Sequence, residues 1–173
     1  IKNPYNFKGK ILSFNAKTII ETPHVIELLS SNQILELVSN YLGTTPTLFD
    51  LNIIFNFGDV DIYHETQHFH RDHDDFHHCL LMVYLNDVDI ESGGHIYSQG
   101  SHKLDNLSSK IKPIVKSNNS VSDLYDEKDN FSMETVIGKK GTGFISDANG
   151  LHSGSVPKIG KRRMIFWARF GLA

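Results

Sequence analysis

Three residues in this sequence have the types and spacing to hold one metal ion. Two of them, His70 and Asp72, lie two apart in Gln67-His68-Phe69-His70-Arg71-Asp72; the third, His152, lies in Gly150-Leu151-His152-Ser153-Gly154. Residues two apart on a strand point the same way, so an imidazole and a carboxylate would converge there without a special loop. The flanking glycines leave room around His152 for a metal and a ligand. Two imidazoles and a carboxylate on one face of an octahedron leave three positions open, an arrangement suited to Fe(II) and oxygen chemistry. Zinc accepts the same donors, so the triad alone does not choose the metal. Histidine is abundant, at 10 of 173 residues, and His68, His70, His73, His77 and His78 crowd one stretch. The cluster is internal and broken, unlike a purification tag.

Arg162, in Gly160-Lys161-Arg162-Arg163-Met164, bears on the choice of metal. A guanidinium holds a carboxylate through two parallel hydrogen bonds. On the strand after His152, it could anchor the far carboxylate of 2-oxoglutarate while the keto-acid end chelates iron. A zinc hydrolase would not need that arginine. Arg163 is its rival, because strand alternation admits only one of the pair to the pocket.

The elements that must position these residues are mostly short strands. Ser13-Phe14-Asn15 suggests a turn between two short strands. Thr22 as N-cap and Pro23 at the first helical position open a helix, with Ser31-Asn32 as an internal break and Gly43 as a stop. The pattern changes after Pro46. Leu51, Ile53 and Phe55 alternate with other residues as in a strand, Gly58-Asp59 turns, and Leu80–Leu85 is an apolar strand-length run ended by Asn86-Asp87. His95–Tyr97, Glu134–Ile137, Thr142–Ser146 and Arg163–Phe170 read as further strands, and residues 103–130 as a polar irregular insertion. A helix followed by many short strands predicts a mainly β sandwich or open barrel with a flanking N-terminal helix. The chain is expected to form a single domain over residues 1–173, helical at about 22–43 and β at about 47–170.

Composition excludes several classes of function. Apolar residues make up 39% and the net charge is -3, with basic residues scattered rather than striped as for nucleic acid. No apolar run approaches the roughly 18 residues of a membrane span. The single cysteine, Cys79, rules out an intramolecular disulfide or a Cys-rich zinc site, and a reducing cytoplasm fits it. It precedes an apolar strand and reads as a buried small hydrophobe.

Several stretches together resemble the phytanoyl-CoA dioxygenase family of Fe(II)/2-oxoglutarate oxygenases. They are Phe69-His70-Arg71-Asp72-His73-Asp74-Asp75, Tyr84-Leu85-Asn86-Asp87-Val88-Asp89, the run from Ser92-Gly93-Gly94-His95 through Gly100-Ser101-His102-Lys103, and the Gly150–Arg162 segment. Their order along residues 50–170 also matches. The resemblance implies a double-stranded β-helix of cupin type, with iron on His70, Asp72 and His152 and 2-oxoglutarate on Arg162. It implies a dioxygenase that hydroxylates a small molecule with O2 and releases succinate and CO2. Asp72 argues against a halogenase, in which the carboxylate is missing. The alternatives are a cupin-type metalloenzyme without 2-oxoglutarate and a non-catalytic β-sandwich that binds a partner in its groove.

Other residues carry weaker expectations. Asn56, on the strand before the metal segment, and Ser153 are candidates to hydrogen-bond the co-substrate, as are Gln67 and Tyr84. His73, His77 and His78 read as surface or supporting residues, His102 as part of a structural turn, and Asp74-Asp75 as solvated or turn-capping. The substrate is not legible, because one scaffold of this kind serves many.

Overall fold

The computed structural model describes residues 12–14, 16–58, 67–103 and 132–172. The expected insertion therefore lies almost wholly outside the described residues, as do Asn15 and Asp59. Within them, eleven elements follow in the order β1 (Leu12–Ser13), α1 (Ala16–Ile20), α2 (Val25–Leu29), α3 (Asn32–Leu42), β2 (Thr47–Phe57), β3 (His78–Tyr84), β4 (His95–Ser98), β5 (Met133–Val136), β6 (Gly143–Asp147), β7 (His152–Gly154) and β8 (Arg162–Gly171).

The helical region departs from the sequence expectation at its start. Thr22 is not an N-cap: its hydroxyl donates to the Thr18 carbonyl (2.9 Å) just past the end of α1. The α2 helix begins later, after His24 takes a left-handed φ of 68°. The break at Ser31 and the stop at Gly43 are as expected. Gly43 takes φ 73° and donates its N–H to the Ser39 carbonyl at 2.8 Å, a turn that glycine makes without Cβ strain. On α3, Val38 and Leu42 are buried and Ile34 and Leu35 pack beside them, an i, i+4 stripe aimed at the sheet.

The strands form two antiparallel sheets. One runs β1-β2-β8-β3-β6 and the other β5-β4-β7. In the larger sheet β8 is central, paired with β2 on one side and β3 on the other. Alternation along β8 divides two cores. Phe166, Ala168 and Phe170 join Ile19, Leu29, Val38, Leu42, Leu51 and Leu81 beneath the helices. Ile165 and the partly buried Trp167 join Leu80, Met82, Tyr84, Ala148, Phe144 and Val136 between the sheets. Tyr84 links the two sheets directly. From β3 its hydroxyl donates to the Val136 carbonyl on β5 (2.7 Å) and accepts the His95 N–H of β4 (3.0 Å). The result is a jelly roll with the helices outside and a polar interior at its ends.

Removing a fully packed ring from the helix-side core should be costly. Phe170→Ala is expected to lower unfolding free energy by about 3–5 kcal/mol. Ile20→Ala, at a residue exposed on α1, should stay within about 0.5 kcal/mol. Urea midpoints of the two variants check this, and similar values would show that the face assignment is wrong.

Candidate metal centre

His70 and His152 are joined before any metal is considered. Their backbones exchange two hydrogen bonds, His70 N–H to the His152 carbonyl (2.9 Å) and His152 N–H to the His70 carbonyl (3.0 Å). The Asp72 N–H donates to the Ala148 carbonyl at 3.0 Å, two residues out of the register of that bridge but tying Asp72 to the same neighbouring segment. His70 thus sits in an isolated bridge rather than the expected strand end, yet the convergence is the same. The donor atoms of His70, Asp72 and His152 all lie within 4.8 Å of one another. His70 Nε2 is 3.5 Å from Asp72 Oδ1, and His152 Nε2 is 4.0 Å from Asp72 Oδ2.

Both imidazoles are turned to the tautomer that a metal needs. His70 Nδ1 donates to the His68 carbonyl (2.7 Å) and His152 Nδ1 to the Gly150 carbonyl (2.9 Å). A carbonyl can only accept, so each Nδ1 carries hydrogen, and in the neutral ring Nε2 keeps its lone pair. Burial, followed by the neighbouring His70 ring, holds the His152 imidazole below its ordinary range, so it is neutral near pH 7.

Arg169 on β8 was not anticipated from the sequence. Its Nη2 donates to Asp72 Oδ2 at 3.0 Å, while its Nη1 lies 2.9 Å from Asp74 and 3.4 Å from Asp50. Its guanidinium also sits 4.6 Å from the Trp167 ring centroid. The fork therefore holds one oxygen of Asp72 and leaves Oδ1 on the His70 side. No motif flags this residue, since the pairing joins chain segments that only the fold brings together.

Of the two adjacent arginines, the structure turns the second inward. Arg162 is exposed, with its carbonyl accepting from the Asn86 side chain (3.2 Å), so it does not face the interior. Arg163, its rival, is buried at 5% exposure and opposite Asn56 in the β2–β8 register. Strand alternation is the reason: Arg163, Ile165, Trp167 and Arg169 share the inner face. The Arg163 guanidinium donates to the Gly93 carbonyl, and its Nε has no partner. Among the described residues no carboxylate pairs with it. Burial pulls it down to about 10, which still leaves it cationic at neutral pH. Gly154 makes room for it, since a Cβ there would fall 2.5 Å from Arg163 Nη2.

The remaining candidates divide. Asn56 is buried on the inner face, and its Oδ1 has no partner. Ser153 is buried, but it alternates with His152 on β7 and faces the other way. Tyr84 is committed to the sheet-linking bonds already described. Gln67 is buried. His78 is also buried rather than superficial. Asp75 caps the N–H groups of Phe76 and Leu172 (both 2.7 Å), in keeping with a turn-capping role. Cys79 is buried, and burial pushes its thiol up to about 11, so it is inert.

Burial, the first cause in each case, lowers the imidazoles of His78, His95 and His152. Once unfolded they regain a value near about 6.5. The unfolded chain then binds more protons, so stability falls as pH drops through that value toward the folded ones. In chelator-treated protein the urea midpoint should fall between about pH 7.5 and pH 5.5, each such histidine adding a slope of up to about 1.4 kcal/mol per unit. A midpoint that stays flat over that window would contradict buried neutral imidazoles.

No family model matches this sequence, and no curated protein matches it. Solved structures do match. The epimerase SnoN from nogalamycin biosynthesis, described as non-heme and alpha ketoglutarate dependent, aligns with TM-score 0.65 and 16% identity over 92% of this chain and 61% of its own. HygX from Streptomyces hygroscopicus, solved with nickel, 2-oxoglutarate and hygromycin B bound, aligns with TM-score 0.64 and 15% identity over 94% of this chain and 70% of its own. EctD from S. alaskensis, solved with 2-oxoglutarate and 5-hydroxyectoine, gives TM-score 0.65 and 15% identity over 93% of this chain and 55% of its own. The chain thus spans less than two thirds of SnoN and of EctD. The likeness shows the fold: this chain is a double-stranded β-helix of the cupin type on which those 2-oxoglutarate proteins are built.

Proposed function

We propose that the chain is an Fe(II)/2-oxoglutarate-dependent oxygenase that hydroxylates a small molecule, of the phytanoyl-CoA dioxygenase kind. The observation that carries the reading is Arg163: a buried cation with no carboxylate partner among the described residues. A guanidinium withdrawn from water is stable only with an anion or a dense set of acceptors beside it. An anionic ligand that reaches from Arg163 toward a metal on His70, Asp72 and His152 meets that need.

The residues fit both groups. The donor set is two imidazole Nε2 atoms and one carboxylate oxygen, and Arg163, with Asn56 opposite, would hold the distal carboxylate of 2-oxoglutarate. When bound there, iron would supply O2 activation coupled to conversion of 2-oxoglutarate to succinate and CO2, with one oxygen atom passing to a substrate C–H bond. The protein's part is geometric and electrostatic. The backbone bridge keeps His70 and His152 at one spacing. Arg169 holds Asp72 Oδ2 and favours ligation through one oxygen. The apolar wall of Ile165, Met82 and Phe144 limits water around the co-substrate. Solved structures of similar fold hold nogalamycin RO, hygromycin B or 5-hydroxyectoine; for this chain we propose a small-molecule substrate without choosing its class. No described helix is long and apolar enough to cross a membrane, and with the lone buried Cys79 we place the enzyme in the cytoplasm.

Mixed anaerobically with Fe(II) and 2-oxoglutarate, the protein should show the weak visible charge-transfer absorption of an iron-bound 2-oxo acid. His70→Ala should lose stoichiometric metal. Arg163→Ala should weaken 2-oxoglutarate binding by roughly tenfold or more, about 1.4 kcal/mol, while Arg162→Ala changes it less than about twofold. Iron-loaded wild type that ignores 2-oxoglutarate would overturn the reading, and a larger effect at Arg162 would overturn the assignment of the anchor.

A further inference from the structure

One buried imidazole in the interior has no task in the site as described. His95 on β4 is 5% exposed, and its Nε2 has no hydrogen-bond partner. Its backbone N–H is already used by the Tyr84 hydroxyl. Its ring lies 5.4 Å from the His152 ring and 5.5 Å from Phe144, between centroids.

The sheet register says what the ring is beside. His95 is the cross-strand partner of Gly154 on β7. Gly154 is where the Arg163 guanidinium arrives, and it has no side chain to offer. The polar group that this register supplies next to the guanidinium is therefore the imidazole of His95. Three unmatched polar atoms, Asn56 Oδ1, Arg163 Nε and His95 Nε2, belong to residues of this one interior.

We propose that His95 is a second carboxylate-binding residue of the co-substrate site, donating Nε2–H to the distal carboxylate of the 2-oxo diacid held by Arg163. The inference rests on the 2-oxoglutarate reading above. It also makes His95 a specificity residue, because a 2-oxo acid without the second carboxylate gains nothing from it. The competing role is packing alone, with the ring holding His152 in place.

The test measures anaerobic binding of two probes to Fe(II)-loaded protein by calorimetry. They are 2-oxoglutarate and 2-oxopentanoate, which keeps the chelating end and lacks the distal carboxylate. His95→Leu is expected to weaken 2-oxoglutarate about tenfold and 2-oxopentanoate less than about twofold, with metal stoichiometry unchanged. His95→Gln, which retains an N–H donor, should recover most of the loss. If His95→Leu does not fold, His95→Met makes the same comparison. Equal binding of 2-oxoglutarate by wild type and variant, equal weakening of both probes, or loss of metal would each overturn the assignment and leave the co-substrate reading standing. Wild type that binds iron but not 2-oxoglutarate would instead overturn that reading, and this inference with it.

Discussion

The two hydrogen bonds exchanged by the His70 and His152 backbones are the constraint on which the site depends. They join segments that are distant in sequence and set both imidazoles on one side of one bridge. A further bond from Asp72 N–H to the Ala148 carbonyl ties the carboxylate's segment down beside them, so the three donors are placed by main chain rather than by side-chain packing. A one-residue slip would turn all of them away together. Side-chain bonds from each Nδ1 to a carbonyl two residues earlier then orient the rings. Position and tautomer are therefore decided before any ligand arrives, which is the preorganisation a metal site needs.

The interior of the jelly roll is divided by the alternation of β8. Its even-numbered apolar residues seal the sheet against α1–α3, and its odd-numbered residues line the space between the sheets. Two of those odd positions are arginines at opposite ends of the strand. Arg169 is surrounded by Asp50, Asp72 and Asp74 and has its charge matched from within. Among the described residues Arg163 has no such partner, and Gly154 is left bare to admit it. This asymmetry separates a cation matched by carboxylates from one that has only the Gly93 carbonyl beside it. The aliphatic and aromatic residues between them, Ile165 and Trp167, keep the two ends distinct.

Much of this was legible in the chain. The His-x-Asp pair at 70 and 72, the glycine-flanked His152, the strand punctuation and the Gly43 helix stop are local signals. They rest on strand periodicity, on the turn chemistry of glycine and on the donor properties of imidazole and carboxylate. The helix start was misread because His24, with positive φ, displaces the expected Thr22 cap. The facing of Ser153, which alternates with His152, was not legible, because its strand is only three residues long, too short to be seen as periodic.

By itself, the sequence determined the donor types, the β-rich architecture and the presence of two adjacent arginines after the distal histidine. Tertiary structure decided which of the two faces the interior. Arg162 and Arg163 are chemically identical neighbours, and only the pairing of β8 with β2 and β3 fixes which one turns inward. Arg169 and His95 likewise gain their neighbours only when the fold sets them against Asp72 and Gly154. The physical reason is common to all of them: a side chain's type is local information, but its facing and its partners are properties of strand register, which many distant residues set together.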